Sequence, residues 1–308
     1  MPREGTLARR RVRNELLTMG GLQKLLQKAV AGWWNDNVPR MGAALAYYTL
    51  FSLAPVLIVA IAVSGLVFGP DAVRGEIVGQ IEGLVGREGA MAVQAMLESA
   101  AKPSSSILAT IVGLITFFLA ATGAFLELQN DLDAIWRVKP KSRGSFMRDL
   151  VMQRLISFGL VMGFAFLLLT SLVVSAALTA LHNYMGNAFP GVAVLWEALD
   201  VIVSLGVITI LFAMIYKVLP DVKLGWRDVW VGALVTAGLF TIGKFLIGFY
   251  LGTSALASTY GAAGSVIVVL VWVYYSAQIV LLGAEFTRAY VEQFGPRPPP
   301  EDFATKRR

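Results

Sequence analysis

The chain has 308 residues, 56% of them hydrophobic and only 15% charged, with a formal net charge of +6 and no cysteine. Mean hydropathy is +0.67, which excludes an ordinary soluble domain pair. The absence of cysteine excludes a disulfide framework, a thiolate metal site and a cysteine nucleophile. Apolar runs of the ~20 residues needed to cross a bilayer recur along the chain. The sequence therefore predicts an all-α integral membrane protein: a six-transmembrane-helix bundle with an amphipathic N-terminal helix and an extracytoplasmic helical hairpin.

Residues 1–41 form a basic N-terminal segment. No apolar core with a small-residue cleavage site follows "MPREGTLARRRVRNELL", so no cleaved signal peptide is expected. Leu22, Leu25, Leu26, Ala29, Val30 and Trp33 then recur at i, i+3, i+4, i+7, i+8 and i+11, with Gln23, Lys24, Gln27 and Lys28 on the other face. This pattern predicts an amphipathic helix ended by "NDNVP". Two settings are open: the inner leaflet surface, with Trp33 and Trp34 at headgroup level, or the cytoplasmic side of the bundle.

The first span is expected over 42–68. Within it Tyr48 and Ser52 share a face with Pro55, which removes a backbone donor and favours a bend. Residues 69–105 lie outside the membrane. There Asp71 caps a helix with an apolar stripe at Val73, Ile77, Ile81, Leu84 and Val85, "GREG" breaks it, and 90–101 form a second short helix. This hairpin either covers an opening or packs on the bundle. The second span, 106–126, continues as a helix beyond the membrane through Phe125, Leu128, Leu132, Ile135 and Trp136. Asp133 and Arg137 are spaced to pair along it, and Pro140 stops it. Four more spans are expected over 155–181, 198–219, 229–252 and 259–286. Residues 42–286 thus make the membrane domain, and 287–308 a basic, proline-rich tail.

Charge sets the expected orientation. The connecting segments 1–41, 127–154, 217–228 and 287–308 hold eight, six, three and five Lys plus Arg, against three, none and none for 69–105, 182–197 and 253–258. The positive-inside rule then places both termini in the cytoplasm, and six spans satisfy every loop at once.

Three segments carry a family resemblance: "DNVPRMGAALAYYTLFSLAPVLIVAIA", "LQNDLDAIWRVKPKSRGSF" and "STYGAAGSVIVVLVWVYYSAQIVLLGAEFTRAY". Together they resemble the YihY/BrkB family of six-span bacterial inner-membrane proteins, over roughly 30–295. The resemblance implies a multi-pass protein of the bacterial inner (plasma) membrane. Members carry the labels ribonuclease BN and virulence or serum-resistance factor, and one branch is linked to export of a lipopolysaccharide precursor lipid. The resemblance supplies no catalytic residues.

An ionisable group inside a span costs roughly 2.5–3.5 kcal/mol on insertion scales unless it is paired or reaches the interface. Lys244, in "TIGKFLIGFY", is the plainest case. On a helix it shares an arc of about 80° with Ala237, Thr241, Gly248 and Gly252, while Leu239, Ile242, Leu246, Phe249 and Tyr250 lie opposite. Gly248 and Gly252 make a GxxxG pair suited to close helix approach, so the lysine is expected to point at protein or a cavity. Its backbone lies about 12 Å below the outer end of the fifth span. Asp200 or Glu197, near the outer end of the fourth, is the expected partner. In the sixth span Tyr274, Gln278 and Glu285 form a polar line, with Arg288, Arg154 or Arg40 to neutralise Glu285. These groups, with Tyr48 and Ser52, are read either as interhelical glue or as the lining of an intramembrane pathway. Gly159 and Gly163 in the third span suit packing within one chain or between two.

Enzyme chemistry is not expected. His182 is the one histidine, Asp131 and Asp133 diverge by about 160° on a helix and read as capping and surface-pairing groups, and no nucleotide or hydrolase motif is present. No cofactor or metal is expected, and the basic segments serve topology and anionic lipid rather than nucleic acid. The expected function is movement of a lipid or amphipathic solute across or within the membrane. The alternatives are a non-transporting envelope assembly or scaffold protein and, more remotely, the ribonuclease. Expected partners are membrane lipids and either a second copy of the chain or another envelope protein.

Overall fold

The structure, a computed structural model, describes residues 19–68, 107–140, 193–253, 264–294 and 304–306, with single positions between 79 and 98 and at 159. Over 193–200 the description is of backbone alone. The expected third span, 155–181, and most of the expected outer hairpin lie outside these residues.

The described chain is nearly all helical. It comprises α1 (Met19–Asn35), α2 (Val38–Phe68), α3 (Ile107–Ile135), β1 (Val138–Pro140), α4 (Ala193–Val218), α5 (Trp226–Thr253), α6 (Gly264–Phe294) and β2 (Ala304–Lys306). Four helices hold stretches long and apolar enough to cross a membrane: Val38–Ile58, Val201–Val218, Trp226–Leu251 and Val266–Phe294. The second expected span falls on α3, which runs unbroken through the predicted extension.

The last span, α6, is the hub. It packs along α5, α2 and α1, while α3 packs on α2 and α4 on α5. Small residues set the close approaches. A Cβ on Gly232 of α5 would strike the Thr287 hydroxyl, and one on Gly283 of α6 would strike the hydroxyls of Thr236 and Tyr216. Gly243 lies against Ile279 and Tyr275 in the same way. Three helices meet in a polar knot at this crossing. The Tyr216 hydroxyl donates to the Val280 carbonyl at 2.7 Å and lies 3.0 Å from the Thr236 hydroxyl, which also reaches the Gly232 carbonyl at 2.8 Å. The GxxxG expectation on α5 is corrected here. Among the described residues, Gly248 is exposed with nothing in van der Waals reach of a Cβ, as is Gly159, and the glycines of α5 that meet another helix are Gly232 and Gly243; the environment of Gly252 lies outside them.

Among the described residues the largest buried core lies at one end of the bundle, the basic end, which carries Arg137, Lys217, Arg227 and Arg288. Leu132 and Ile135 of α3, Phe212, Ala213 and Tyr216 of α4, Leu219, Val222 and Leu224 of the α4–α5 loop, and Leu281 and Ala284 of α6 form one core. The predicted apolar stripe on the extension of α3 is what this core buries. Toward the opposite end a smaller cluster joins Ile61, Val269, Val93 and Leu97. At these positions, the segment predicted to cover an opening or pack on the bundle does the latter.

Three local expectations are corrected. α3 ends at Ile135, before Pro140: Arg137 adopts a left-handed backbone (φ 55°) and turns the chain, so no proline is needed to stop the helix. Pro140 instead closes β1, whose three residues pair antiparallel with Ala304–Lys306, a short ribbon in a chain expected to be all-α. Neither strand is long enough to show period-two alternation. Asp133 does not pair with Arg137. Its carboxylate accepts the Asp221 backbone N–H at 2.7 Å and clasps the α4–α5 loop onto α3.

α1 uses its apolar face twice. Leu25 and Ala29 are buried against Phe286 and Ala289 of α6, with Val231 and Val235 of α5 beside them. Leu22, Leu26, Val30 and Trp34, on the neighbouring arc, are 47%, 48%, 56% and 71% exposed. The helix ends at Asn35, and Asn37 takes a left-handed conformation (φ 56°), which asparagine tolerates better than most residues, to start α2 at once.

Candidate functional site

Among the described residues, the ionisable groups that bear on the site are a buried cluster at the basic end and Lys244 on α5. The cluster is centred on Arg288, near the end of α6 and 8% exposed. Its Nη1 donates to Asp36 Oδ2 at 2.6 Å, and also to the carbonyl of Ile135 at the end of α3. Its Nη2 lies 3.0 Å from Glu285 Oε2, one turn back along α6, and its Nε is 3.9 Å from Glu292. Arg137, largely exposed, stands 3.9 Å from the other oxygen of Asp36.

One guanidinium thus serves three helix ends. From α6 it ties the α1–α2 turn through Asp36 and α3 through a terminal carbonyl that has no partner within its own helix, while its contact with Glu285 stays within α6. Glu285 is 1% exposed, and neither of its oxygens has a hydrogen-bond donor among the described residues. The 3.0 Å approach of Nη2 is therefore a contact of charges, without hydrogen-bond alignment. Asp36 and Glu285 share one buried arginine, with the exposed Glu292 at 3.9 Å from its Nε.

Glycine makes the site. A Cβ on Gly32 would fall on Glu285 Oε2 and close to Arg288 Nη2, and a Cβ on Gly42 would fall on the Gln278 amide. Two turns along α6 from Glu285, Gln278 accepts from Trp33 Nε1 at 3.1 Å and donates to the Val38 carbonyl at 3.5 Å. The α1–α2 hairpin therefore grips α6 at both Gln278 and Glu285.

Beside this cluster Asp131 and Asp133 are each 5% exposed. The expectation that they serve capping and surface pairing fails, because the core at the basic end closes over the extension of α3. Burial pushes the Asp133 carboxyl up to about 7, with the Asp221 charge adding to the shift against the Asp221 N–H bond. Burial and the Glu127 charge push Asp131 up to about 7 as well. Among the described residues no three His, Cys, Asp or Glu side chains gather in a metal-binding arrangement.

Lys244 stands apart. It is half-buried on α5, with its ammonium 5.2 Å from the ring centroid of Phe245. No carboxylate lies within ion-pair reach of it among the described residues; the side chains of its expected partners, Asp200 and Glu197, lie outside them. The bulky arc is exposed as expected: Ile242, Leu246, Phe249 and Tyr250 are all more than half accessible. Tyr274 is more than one-third exposed, and Tyr48 is partly exposed beside the ring of Tyr47. Ser52 is buried and donates to the Thr49 carbonyl at 3.1 Å. Among the described residues no hydrogen bond or ion pair joins these groups to Glu285 or Gln278.

Of the sequence candidates, the structure thus brings Gln278 and Glu285 into one grip and places Arg288 rather than Arg40 against Glu285, Arg154 lying outside the described residues. Sequence reasoning missed Asp36, Trp33, Gly32 and Gly42. A signal for Asp36 existed: it is the only acidic residue between 19 and 41. The glycines carried no such signal, because their role depends on what α6 presents to them.

The comparisons with known proteins agree with this architecture. A family model described as virulence factor BrkB matches residues 29–306. A UPF0761 membrane protein of Ralstonia nicotianae is 29% identical over 265 residues, covering 85% of this chain and 58% of that protein. One from Acinetobacter baylyi is 26% identical over 258 residues, covering 82% and 59%, and one from Tolumonas auensis is 28% identical, covering 82% and 81%. The chain therefore spans somewhat under three fifths of the Ralstonia and Acinetobacter proteins. No solved structure matches it. With the match reaching from within α1 to β2, this chain is a membrane protein of the BrkB family.

Proposed function

We propose that the chain moves a lipid or other amphipathic solute across or within the bacterial inner membrane, with both termini in the cytoplasm and no enzymatic step of its own. One observation carries this reading. Lys244 is a cation in a membrane-crossing helix, beside an exposed arc of Phe245, Leu246 and Phe249, with no carboxylate in reach among the described residues. A charge in that setting is costly, and intramembrane ionisable residues often mark pathways. An ammonium next to the acyl-chain surface suits the phosphate of a lipid headgroup. Tyr274, Tyr48 and Ser52, with Asp200 and Glu197, are the groups along which such a headgroup would travel. Gln278 and Glu285 would hold the basic end of the bundle closed.

The test is reconstitution of the purified protein with labelled lipid, comparing wild type with Lys244→Met. Lipid movement that falls at least several-fold in the variant supports the reading. Equal movement in both, or none in either, refutes the role of Lys244.

A second reading, a non-transporting assembly or scaffold protein of the envelope, draws on a different observation. Gln278 and Tyr216 bond to groups on other helices, as interhelical glue does, while Ser52, Thr236 and Thr287 are satisfied by carbonyls one turn back in their own helices. A bundle that moves no lipid yet retains a second copy or another envelope protein on purification would favour it. Nothing in the geometry of Asp131 and Asp133 favours the ribonuclease.

A further inference from the structure

The apolar arc of α1 is wider than the bundle can cover. With Leu22 placed at 0° and about 100° per residue, the buried positions Leu25, Ala29 and Gly32 fall near 300°, 340° and 280°. The exposed apolar positions Leu22, Leu26, Val30 and Trp34 run from 0° to about 120°, with the exposed Gln23 near 100° the one polar residue inside that arc. Lys24 and Lys28, both exposed, fall near 200° and 240°, opposite the exposed arc. An arc of four large apolar side chains in water would be an aggregation liability.

Three observations identify what covers it. First, only the two-residue turn Asp36–Asn37 separates α1 from α2, whose membrane-crossing stretch begins at Val38, so α1 starts from the bilayer boundary. Second, α1 is inclined along α6. Leu25 and Ala29 meet Phe286 and Ala289, Gly32 meets Glu285, and Trp33 reaches Gln278. Moving forward along α1 therefore means moving toward the middle of α6. Third, residues 1–41 hold eight Lys plus Arg against three acidic residues, a charge complementary to anionic headgroups.

We propose that α1 is an oblique wedge in the anionic leaflet at the basic end of the bundle. Leu22, Leu26, Val30 and Trp34 lie among the acyl chains, progressively deeper, and Lys24 and Lys28 stay at the phosphates. This settles the two sequence expectations jointly: one side of the apolar face belongs to the bundle and the other to lipid. The proposal is independent of whether the protein moves lipid.

Because the chain has no cysteine, single cysteines can be labelled without background. Full-length protein carrying a nitroxide at Leu22, Leu26, Val30, Lys24 or Lys28 is placed in nanodiscs of phosphatidylethanolamine and phosphatidylglycerol. Accessibility to oxygen is then compared with accessibility to a water-soluble nickel chelate. The expected result is oxygen preference at Leu22, Leu26 and Val30, increasing in that order, and nickel preference at Lys24 and Lys28. Nickel preference at Leu26 and Val30 overturns the proposal. So does shielding from both reagents, which would mean that protein covers the arc. A second readout needs no label: brominated lipid should quench wild-type tryptophan fluorescence more than that of Trp34→Phe. Equal quenching overturns the seating of Trp34.

Discussion

Removing the Arg288 guanidinium should be the most damaging single change at the basic end, and removing the Glu285 charge should do little. In Arg288→Met the long apolar stem is retained, so the loss is electrostatic. It strands Glu285, 1% exposed, and Asp36, and it takes the donor from the Ile135 carbonyl. Breaking a buried pair by removing one partner costs about 3–5 kcal/mol. Asp36 keeps Arg137 at 3.9 Å and some solvent contact, which argues for the lower end, about 3 kcal/mol. Glu285→Gln is different. The carboxylate makes no aligned hydrogen bond to lose, and its charge is the second negative on one guanidinium. The amide adds a donor facing Arg288 and the α1–α2 turn. The lost attraction and the relieved repulsion should nearly offset, leaving a change within about 1 kcal/mol. The double variant should recover at least about 1 kcal/mol relative to additivity. The assay is SDS titration of purified protein in mixed micelles, followed through its seven tryptophans. If Glu285→Gln destabilises as much as Arg288→Met, or Arg288→Met shifts stability by less than about 0.5 kcal/mol, the shared-arginine account fails.

Other outcomes follow from the same packing. Asp133 and Asp131 hold their protons to about 7 in the folded chain, against an ordinary 3.8. The folded state then binds more protons between those values. Their contribution to stability is full below about pH 4, is lost as pH rises to about 7, and stays constant above. Asp133→Asn keeps the acceptor for the Asp221 N–H, so it should flatten that pH slope and gain on the order of 1–3 kcal/mol above pH 7. An unchanged slope in pH-dependent unfolding would refute it. Gly283→Ala should cost about 1–3 kcal/mol by pushing a methyl into the Tyr216–Thr236 contact. Gly248→Ala, with open space around it, should be neutral or stabilising by up to about 1 kcal/mol, and the two can be compared in one denaturation series. Tyr216→Phe should cost about 1–2 kcal/mol by leaving the Val280 carbonyl without its side-chain donor.

How much of this was legible in the sequence divides by the range of the interaction. Span positions came from local hydropathy, and the described helices fall on five of the six expected spans. The apolar stripe on the extension of α3 and the two-sided α1 were visible because helical periodicity is local. The polar line on α6 was legible for the same reason, and one of its three members, Gln278, found partners across helices. What pairs with what was not legible. Arg288 was one of three arginines offered to Glu285; its i+3 spacing on the same helix was legible, but its bonds to Asp36 and the Ile135 carbonyl were not. Asp36 lies 252 residues away in sequence. The GxxxG pair on α5 misled because spacing alone cannot say which small residues another helix approaches. Gly232 and Gly243 have that role because Thr287 and Ile279 happen to face them. Asp133 was read as a surface group because the loop that buries it belongs to a distant part of the chain.

The arginine that fastens three helix ends also sets an order of assembly. Asp36 and the Ile135 carbonyl are synthesised early, whereas Arg288 follows Asp36 by 252 residues. At about 5–20 residues per second, the turn between α1 and α2 waits roughly 13–50 s for its counterion. During that interval α1 has no α6 to lie against, and only lipid or the growing bundle can shelter its apolar side. α6 therefore acts as the closing bolt of this bundle. A nascent chain stalled before Arg288 should leave the N-terminal hairpin open to protease, while one that has released Arg288 into the membrane should protect it.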